Sequence, residues 1–558
     1  GITGRVDGET VQIGVTTTAE QEQTQTRVDV DGRLDPLLAL RKLDHPLASQ
    51  VRGKAKTLVS MTIPHHFEQV PTRIEVTSDL VGVSFDFPEP LAKPESVALN
   101  SQTRVILTQG RATEVQATLG DMVAGRLGLT PSGDGILALR LHLGGGSWDP
   151  AMPDAQVTLS GSVDRLDLLQ WLDWLDASGG GEATLGNAER KSFMPIRGQV
   201  RVGELRAGIL QLHQADIALD MVAQDWRYRI DSNEAAGDLR LVLDAQQRIS
   251  QLRGQFDYLT LSGAGAEYLD DEVEPNSALS PLDVNRLPSV SLVVDRLRYE
   301  AYELGQFHIE AGQPADTVDE WRISRLRLGE PGMFEVLADG RMWRDAGDLR
   351  TELRVSLHSD DAGRTLMHLN NSAAMQGGRL QETAFTLNWP GSLFDYDMGK
   401  VQGQGQFSIV NGRLRDVDAG AGRILGLLSI GALTRRLKLD FRDIVSEGFF
   451  FDSIVGKLEL QDGKLWARPI EIRSPSLFAV INGHANLLND SLDYELDIYA
   501  DVGMLLPLIG TVAGGPLVGG AVLLLQKLVR QGGTDLEPDK RYRITGSIDQ
   551  PVLERNRE

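Results

Sequence analysis

From Leu492 to Asp501 the chain alternates without a miss. Leu492, Tyr494, Leu496, Ile498 and Ala500 fall on one side, and Asp493, Glu495, Asp497, Tyr499 and Asp501 on the other. A two-residue period belongs to a strand with one face buried and one face wet. The same pattern returns along the chain: Val11, Ile13 and Val15; Ile74 and Val76; Val81, Val83, Phe85 and Phe87 before Pro88 and Pro90; Phe407 and Ile409; Leu437, Leu439 and Phe441; Ile470 and Ile472; Phe478 and Val480; Tyr542 and Ile544. These segments predict a mostly β chain of many short strands.

Helical periodicity is confined to a few places. Pro36 to Leu43 has proline in its first turn. Asp164 to Ala177 carries Leu166, Leu169, Trp171, Leu172, Trp174 and Leu175 as a broad stripe suited to packing against a sheet. Residues 420–436 form the clearest amphipathic helix, with Ile424, Leu427 and Leu428 on one face and Arg435 and Arg436 at the favourable C-terminal end. Val502 to Gln526 has no charged residue and is as long as a membrane span. Pro507, Gly514, Gly515, Pro516, Gly519 and Gly520 interrupt it, so the region 502–530 predicts two short apolar segments that meet or dip into a bilayer.

An internal echo sets the larger organisation. Val200 to Leu219 lines up with Leu292 to Ala311: Leu205, Arg206, Leu212, Gln214 and Ile217 return as Leu297, Arg298, Leu304, Gln306 and Ile309. Trp226-Arg227 follows the first copy and Trp321-Arg322 the second. Repeated strand-turn-strand units suggest an array that grows by adding strands. The expected division is a repeated β body over 1–400 and a distinct C-terminal region over 401–558. Gly179 to Gly186 and the acidic stretch Glu267 to Pro275 read as solvated connections.

Composition narrows the function. The net charge of −22 repels phosphate backbones and argues against a nucleic-acid partner. It does not exclude a local membrane-seeking end. Zero cysteines exclude disulfides, thiolate zinc sites and a cysteine nucleophile. The 59 glycines are spread among the alternating segments, as turns between strands require. The chain opens at Gly1 in strand-like sequence without a signal peptide or anchor, as expected of a mature or truncated product.

No catalytic constellation emerges. Of the nine histidines only His65 and His66 are adjacent, and neighbours on a strand point to opposite faces. Gly403-Gln404-Gly405 lacks the third glycine of a dinucleotide loop and leads into a strand, not a helix. Asp416 and Asp418 lack the rest of a calcium loop. The expectation is a protein that is not an enzyme and needs no cofactor or metal.

Several stretches together carry a resemblance. They are Ser78-Asp79-Leu80-Val81-Gly82 with Pro88-Glu89-Pro90-Leu91-Ala92-Lys93, the run from Gly420 to Ser429, Arg435 to Asp443, Gly448-Phe449-Phe450-Phe451-Asp452, and Tyr542-Arg543-Ile544-Thr545-Gly546. In this order they resemble the C-terminal half of the YhdP type of the AsmA-like family, to which TamB is related. The resemblance implies a large protein of the Gram-negative periplasm with an N-terminal inner-membrane helix, absent from this chain, and a C-terminal end at the outer membrane. It implies a long, strongly curved antiparallel sheet forming an open hydrophobic groove, and a role in moving phospholipid between the two membranes.

The physics of a one-sided sheet agrees with that implication. An apolar face must be covered by helices, by a second sheet or by a ligand, and covering helices are few here. Exposing lipid tails to water costs about 0.8 kcal/mol per methylene, so an apolar wall lowers the barrier to lipid movement without chemistry. The expected wall residues are Ile470, Ile472, Phe478, Val480, Leu492, Tyr494, Leu496 and Ile498. The expected membrane contacts are Leu505, Leu506, Leu508, Ile509, Leu517, Val518, Leu523, Leu524 and Leu525. Arg435, Arg436 and Lys438 are headgroup candidates, with pairing to Asp440 and Asp443 as the competing reading. The rival function is a TamB-like scaffold that assists outer-membrane protein assembly by pairing with exposed strand edges.

Overall fold

The computed structural model describes residues 2–20, 23–36, 49–65, 70–132, 135–149, 151, 155–177, 194–208, 210–246, 248–262, 283–370, 375–393, 396–414, 449–475, 477–500, 538–548 and 550–555. The expected helix over 420–436, the apolar region 502–530, the two solvated connections and nearly all of the candidate helix from Pro36 lie outside them. The chain divides into two compact units. Unit 1 comprises 1–248 and 256–273; unit 2 comprises 249–255 and 274–558.

Both units are built from strands, as the alternation predicts. In unit 1 the strands from Ile2–Val6 to Ile136–Leu143 pair antiparallel, largely in chain order, and apolar pairs such as Ile13 with Val30, Val59 with Val76 and Val115 with Leu127 recur across them. The short strands Val51–Gly53 and Val83–Phe85 leave this order and form a separate two-stranded sheet. The sheet then departs from the expected antiparallel pattern. Ile136–Leu143 pairs parallel to Val157–Asp167, which pairs parallel to Ile196–Ala207. A parallel neighbour requires a long return to the starting end, and the stretch from Gly144 to Gln156 supplies it where a hairpin turn would not. The sheet in this unit is therefore mixed.

In unit 2 the strands from Ser289–Tyr299 to Pro551–Arg555 form an uninterrupted antiparallel meander. The two copies of the internal echo are both hairpins, Ile196–Ala207 with Leu210–Val222 and Ser289–Tyr299 with Tyr302–Gly312.

Two α-helices are described. Helix α1, Leu168–Ala177, begins where Asp167 Oδ1 accepts from the amides of Leu169 and Gln170, the geometry of an N-cap. Its tryptophans bind the segment around the small sheet rather than the main sheet. Trp171 Nε1 donates to the Glu89 carbonyl (2.9 Å), Trp174 Nε1 donates to Gln50 Oε1 (3.3 Å), and the Trp174 and Phe87 rings sit 5.3 Å apart. Helix α2, Ala362–Asn370, has no counterpart among the periodic segments of the sequence; Asp361 Oδ1 accepts from the Arg364 amide at its start. It places Ala362 and Leu366 against the core of unit 2.

The small sheet explains the Pro88–Lys93 stretch. Lys93 is buried, and its ammonium donates to the carbonyls of Leu80 (2.9 Å), Val83 (2.6 Å) and Pro94 (3.1 Å). Burial lowers its pKa, against the opposing pull of Asp79 and Glu95. A lysine held by three main-chain acceptors is a structural tie that satisfies carbonyls a loop would otherwise leave unpaired.

The largest core lies in unit 2, where residues from Met375 to Leu553 join one apolar cluster. Small residues there face large ones: Gly456 lies opposite Phe407, and Gly412 opposite Phe451. A Cβ added at Gly456 would stand 2.6 Å from Phe407 Cε1 and 2.9 Å from Ile470. Gly456→Val should therefore lower unfolding stability by about 1–3 kcal/mol, read as a reduced urea midpoint. An unchanged midpoint would show that the ring moves aside freely.

Candidate functional site: a one-sided apolar sheet

Cross-strand register carries apolar side chains from strand to strand on one face. In unit 1 the line runs through Ile13, Val30, Val59 and Val76, and from Ile74 through Val105, Val115, Leu127, Leu139, Val157, Ile196 and Met221 to Trp226 and Leu241. Every one of these is half-buried. A packed core would hide them and a fully solvated sheet would not gather them. They form an apolar wall only partly covered.

Unit 2 carries a second line, from Leu292 through Ile309, Leu326, Ala338 and Val355 to Phe385. All of these but Ala338 are half-buried. Beyond Phe385 the same face continues through Leu458, Ala467, Tyr494 and Ile544 to Leu553 with glycines interposed, and these five side chains are all buried.

The expected wall residues fall in this closed part. Ile470 lies opposite Ile481, which lies opposite Leu496; Ile472 lies opposite Ala479, which lies opposite Ile498. Leu492 and Tyr494 share that face. Ile470 and Leu496 have no accessible surface, and Tyr494 keeps 1%. The Tyr494 hydroxyl donates to the Leu465 carbonyl at 3.5 Å, and burial raises its pKa.

Phe478 and Val480 do not belong with them. They lie opposite Arg473 and Glu471 on one side and Tyr499 and Asp497 on the other, on the reverse face. Alternation fixes faces within a strand; the connection after Arg473 decides which parity meets the neighbour. Here even positions meet odd ones, so same-parity residues on successive strands point opposite ways. Phe478 is buried there against Tyr499, with their ring centroids 6.0 Å apart and the Arg473 guanidinium 5.9 Å from the Phe478 ring. The expected headgroup residues Arg435, Arg436 and Lys438, and all nine expected membrane contacts, lie outside the described residues.

The half-buried wall residues, such as Leu127, Leu139, Ile309 and Leu326, are the ones sequence reasoning overlooked. Their segments do alternate, but glycines and arginines interrupt the pattern, as in Val123–Leu129. The cleaner C-terminal strands drew attention first.

Away from the buried Phe478 and Val480, the reverse face is polar and ion-paired directly across strands: Arg104–Glu75 (3.0 Å), Arg197–Asp220 (3.1 Å), Arg229–Asp238 (3.0 Å) and Arg541–Asp497 (2.7 Å). Each such surface pair stabilises by only a fraction of a kcal/mol, but together they keep this face wet and in register. Among the described residues, no group of three or more histidines or carboxylates could hold a metal ion, and no helix is long and apolar enough to cross a membrane.

The described strands thus build a mostly β protein whose sheet has an apolar face and an ion-paired reverse face. The chain belongs to the YhdP protein family, whose model matches residues 1–553. It is also 22% identical over 545 residues to the intermembrane phospholipid transporter YhdP of Escherichia coli (strain K12). That alignment covers 95% of this chain and 41% of the relative, so the chain spans less than half of the relative's length.

The polar face also yields a pH dependence. Asp225 accepts from Arg227 (2.7 Å) and from Arg240 (2.7 and 2.9 Å), which hold its pKa at about 2 against the ordinary 3.8. A carboxyl depressed by folding stabilises the folded state above its ordinary pKa, and that contribution is lost as pH falls toward its folded value. Between pH 3.8 and about 2 the wild type should lose stability more steeply than Asp225→Asn, measured by thermal unfolding at stepped pH. Parallel curves would refute the assignment.

Proposed function

We propose that this chain carries phospholipid between the inner and outer membranes of a Gram-negative cell, with acyl chains lying along the apolar faces of its two units. The continuous, half-buried apolar line of each unit carries this reading. An apolar wall left partly open gains by meeting hydrocarbon, at about 25 cal/mol per Å² covered. Half-burial leaves that gain available to a passing ligand, whereas the closed core after Phe385 has already taken it. The family, and the name of the Escherichia coli relative as a phospholipid transporter, support the same cargo. In this reading the protein performs no bond chemistry and works in the periplasm. In this reading the C-terminal wall residues Ile470, Ile472, Leu492, Tyr494, Leu496 and Ile498 continue the lipid-facing side of unit 2. The apolar region 502–530 contacts the outer membrane.

A photo-crosslinking amino acid placed at Leu127 or Leu326 should form phospholipid adducts with the purified chain. Placed at Gln116 or Arg325, on the polar face, it should not. Equal labelling at all four positions, or none, would remove the lipid lane. In a scaffold that pairs with unfolded barrel strands, adducts would instead be peptide. For the C-terminal contact, the double variant Leu505→Asp and Leu524→Asp should lose flotation with liposomes that the wild type shows; unchanged flotation would refute a membrane role for 502–530.

A further inference from the structure

The two margins of the unit 1 sheet are built differently. From Ala55–Pro64 to Ile136–Leu143, register brings Ala55, Ser78, Ser101, Leu119, Val123 and Leu143 to one margin. It brings Pro64, Thr72, Leu107, Thr113, Leu129 and Ile136 to the other.

The first margin is roofed on the apolar side. Ala55 is fully buried in a cluster with Val51, Leu80 and Val83, against which Leu99 and Leu119 pack. Lys93 ties this roof internally, and the tryptophans of α1 fasten it through the Glu89 carbonyl and the Gln50 side chain. Along the second margin apolar-face residues stay open: Ile63, Leu107 and Leu137 are 37%, 40% and 43% exposed, and Ile136 is 53% exposed.

The roofed margin carries Asp79, Asp86, Glu89, Glu95 and Asp121, and its cations are already engaged: Arg52 pairs with Asp86 (3.3 Å), Lys54 with Glu9 (3.1 Å) and Asp7 (3.5 Å), and Lys93 with main-chain carbonyls. At the open margin Arg111 stands exposed in the turn 108–112.

We propose that phospholipids enter and leave this wall sideways over the open margin, with their phosphates beside Leu107, Arg111 and Ile136 and their tails pointing toward the roof. The proposal rests on the lipid reading above. At the roofed margin Arg52, Lys54 and Lys93 are already taken by carboxylates or carbonyls; at the open margin a phosphate keeps water and meets the exposed Arg111 guanidinium. The lengths agree as well. The seven-residue strands here span about 23 Å, enough for tails that fill half of a hydrocarbon core of about 30 Å.

The test uses the full chain and phosphatidylglycerol carrying a diazirine either beside the glycerol or at the tail end, with labelled positions mapped by peptide mass spectrometry. The glycerol-side probe should label Leu107 to Arg111 and Ile136-Leu137 in preference to Phe87 to Leu99, and the tail probe should label the strand around Leu127. Arg111→Glu, a change in an exposed turn, should lower glycerol-side labelling at the open margin by about threefold, with an unchanged circular dichroism spectrum. If the glycerol-side probe marks the roofed margin equally while the tail probe still marks Leu127, the margin assignment fails and the lipid wall survives. If the tail probe does not mark the wall at all, the lipid reading fails and takes this proposal with it. Label spread over the polar face as well would mean adsorption only, and would also overturn it.

Discussion

Every property of this protein depends on strand register. A two-residue period makes each strand one-sided, but a one-sided sheet exists only if neighbouring strands agree on which side. The pairing keeps that agreement even where the count of residues would break it. Ala467 and Ile470 are three apart yet both face the apolar side, because a bulge between them absorbs the extra residue. The shift between Gln381 and Ala384 does the same for Leu380 and Phe385. Opposite charges facing one another on the reverse side, such as Arg541 and Asp497, would be displaced by a one-residue slip, so they support the correct register.

Given that register, the two ends of the apolar face in unit 2 do different work. From Phe407 onward it is a conventional core: buried, glycine opposite ring, with Leu496 and Ile544 at no exposure. Removing such side chains costs several kcal/mol each in typical cores, and stability is concentrated there. Between Leu292 and Phe385 the line of Leu292, Ile309, Leu326, Val355 and Phe385 is only half-covered, beside a buried cluster of Ala311, Trp321, Ile323 and Met342, and the wall line of unit 1 is half-covered too. A contiguous apolar surface of this extent is a liability in water unless something occupies it. The closed section supplies the stability that lets the half-covered sections remain available.

How much of this was legible in the sequence follows from what alternation encodes. It encodes the strands, and the faces within each, so Leu492, Tyr494, Leu496 and Ile498 share a side as their spacing requires. It does not encode the parity across a connection, which is why Phe478 and Val480 sit on the reverse face. Nor does it encode direction: the parallel return between Ile136–Leu143 and Val157–Asp167 shows only as a long stretch without alternation. Helix α2 is too short to show a period, and its signal is the Asp361 cap. The Pro88–Lys93 stretch stood out as a motif before its reason was visible, since a buried ammonium bound to three carbonyls is a matter of three dimensions. The half-buried wall, which the lipid reading rests on most, was the least legible: degree of cover belongs to the assembled sheet and not to any one segment.

The order of pairing has a consequence for how the chain acquires its structure. The strands of unit 2 dock on the ones made just before them, most across short connections, so the meander can lengthen from its N-terminal side as chain emerges, with longer closures over 415–448 and 501–539. The parallel stretch of unit 1 must also wait, since Val157–Asp167 and then Ile196–Ala207 each have to travel back before pairing. Until that return is made, Ile136–Leu143 keeps one edge unpaired, and an unpaired edge is open to pairing with other strands.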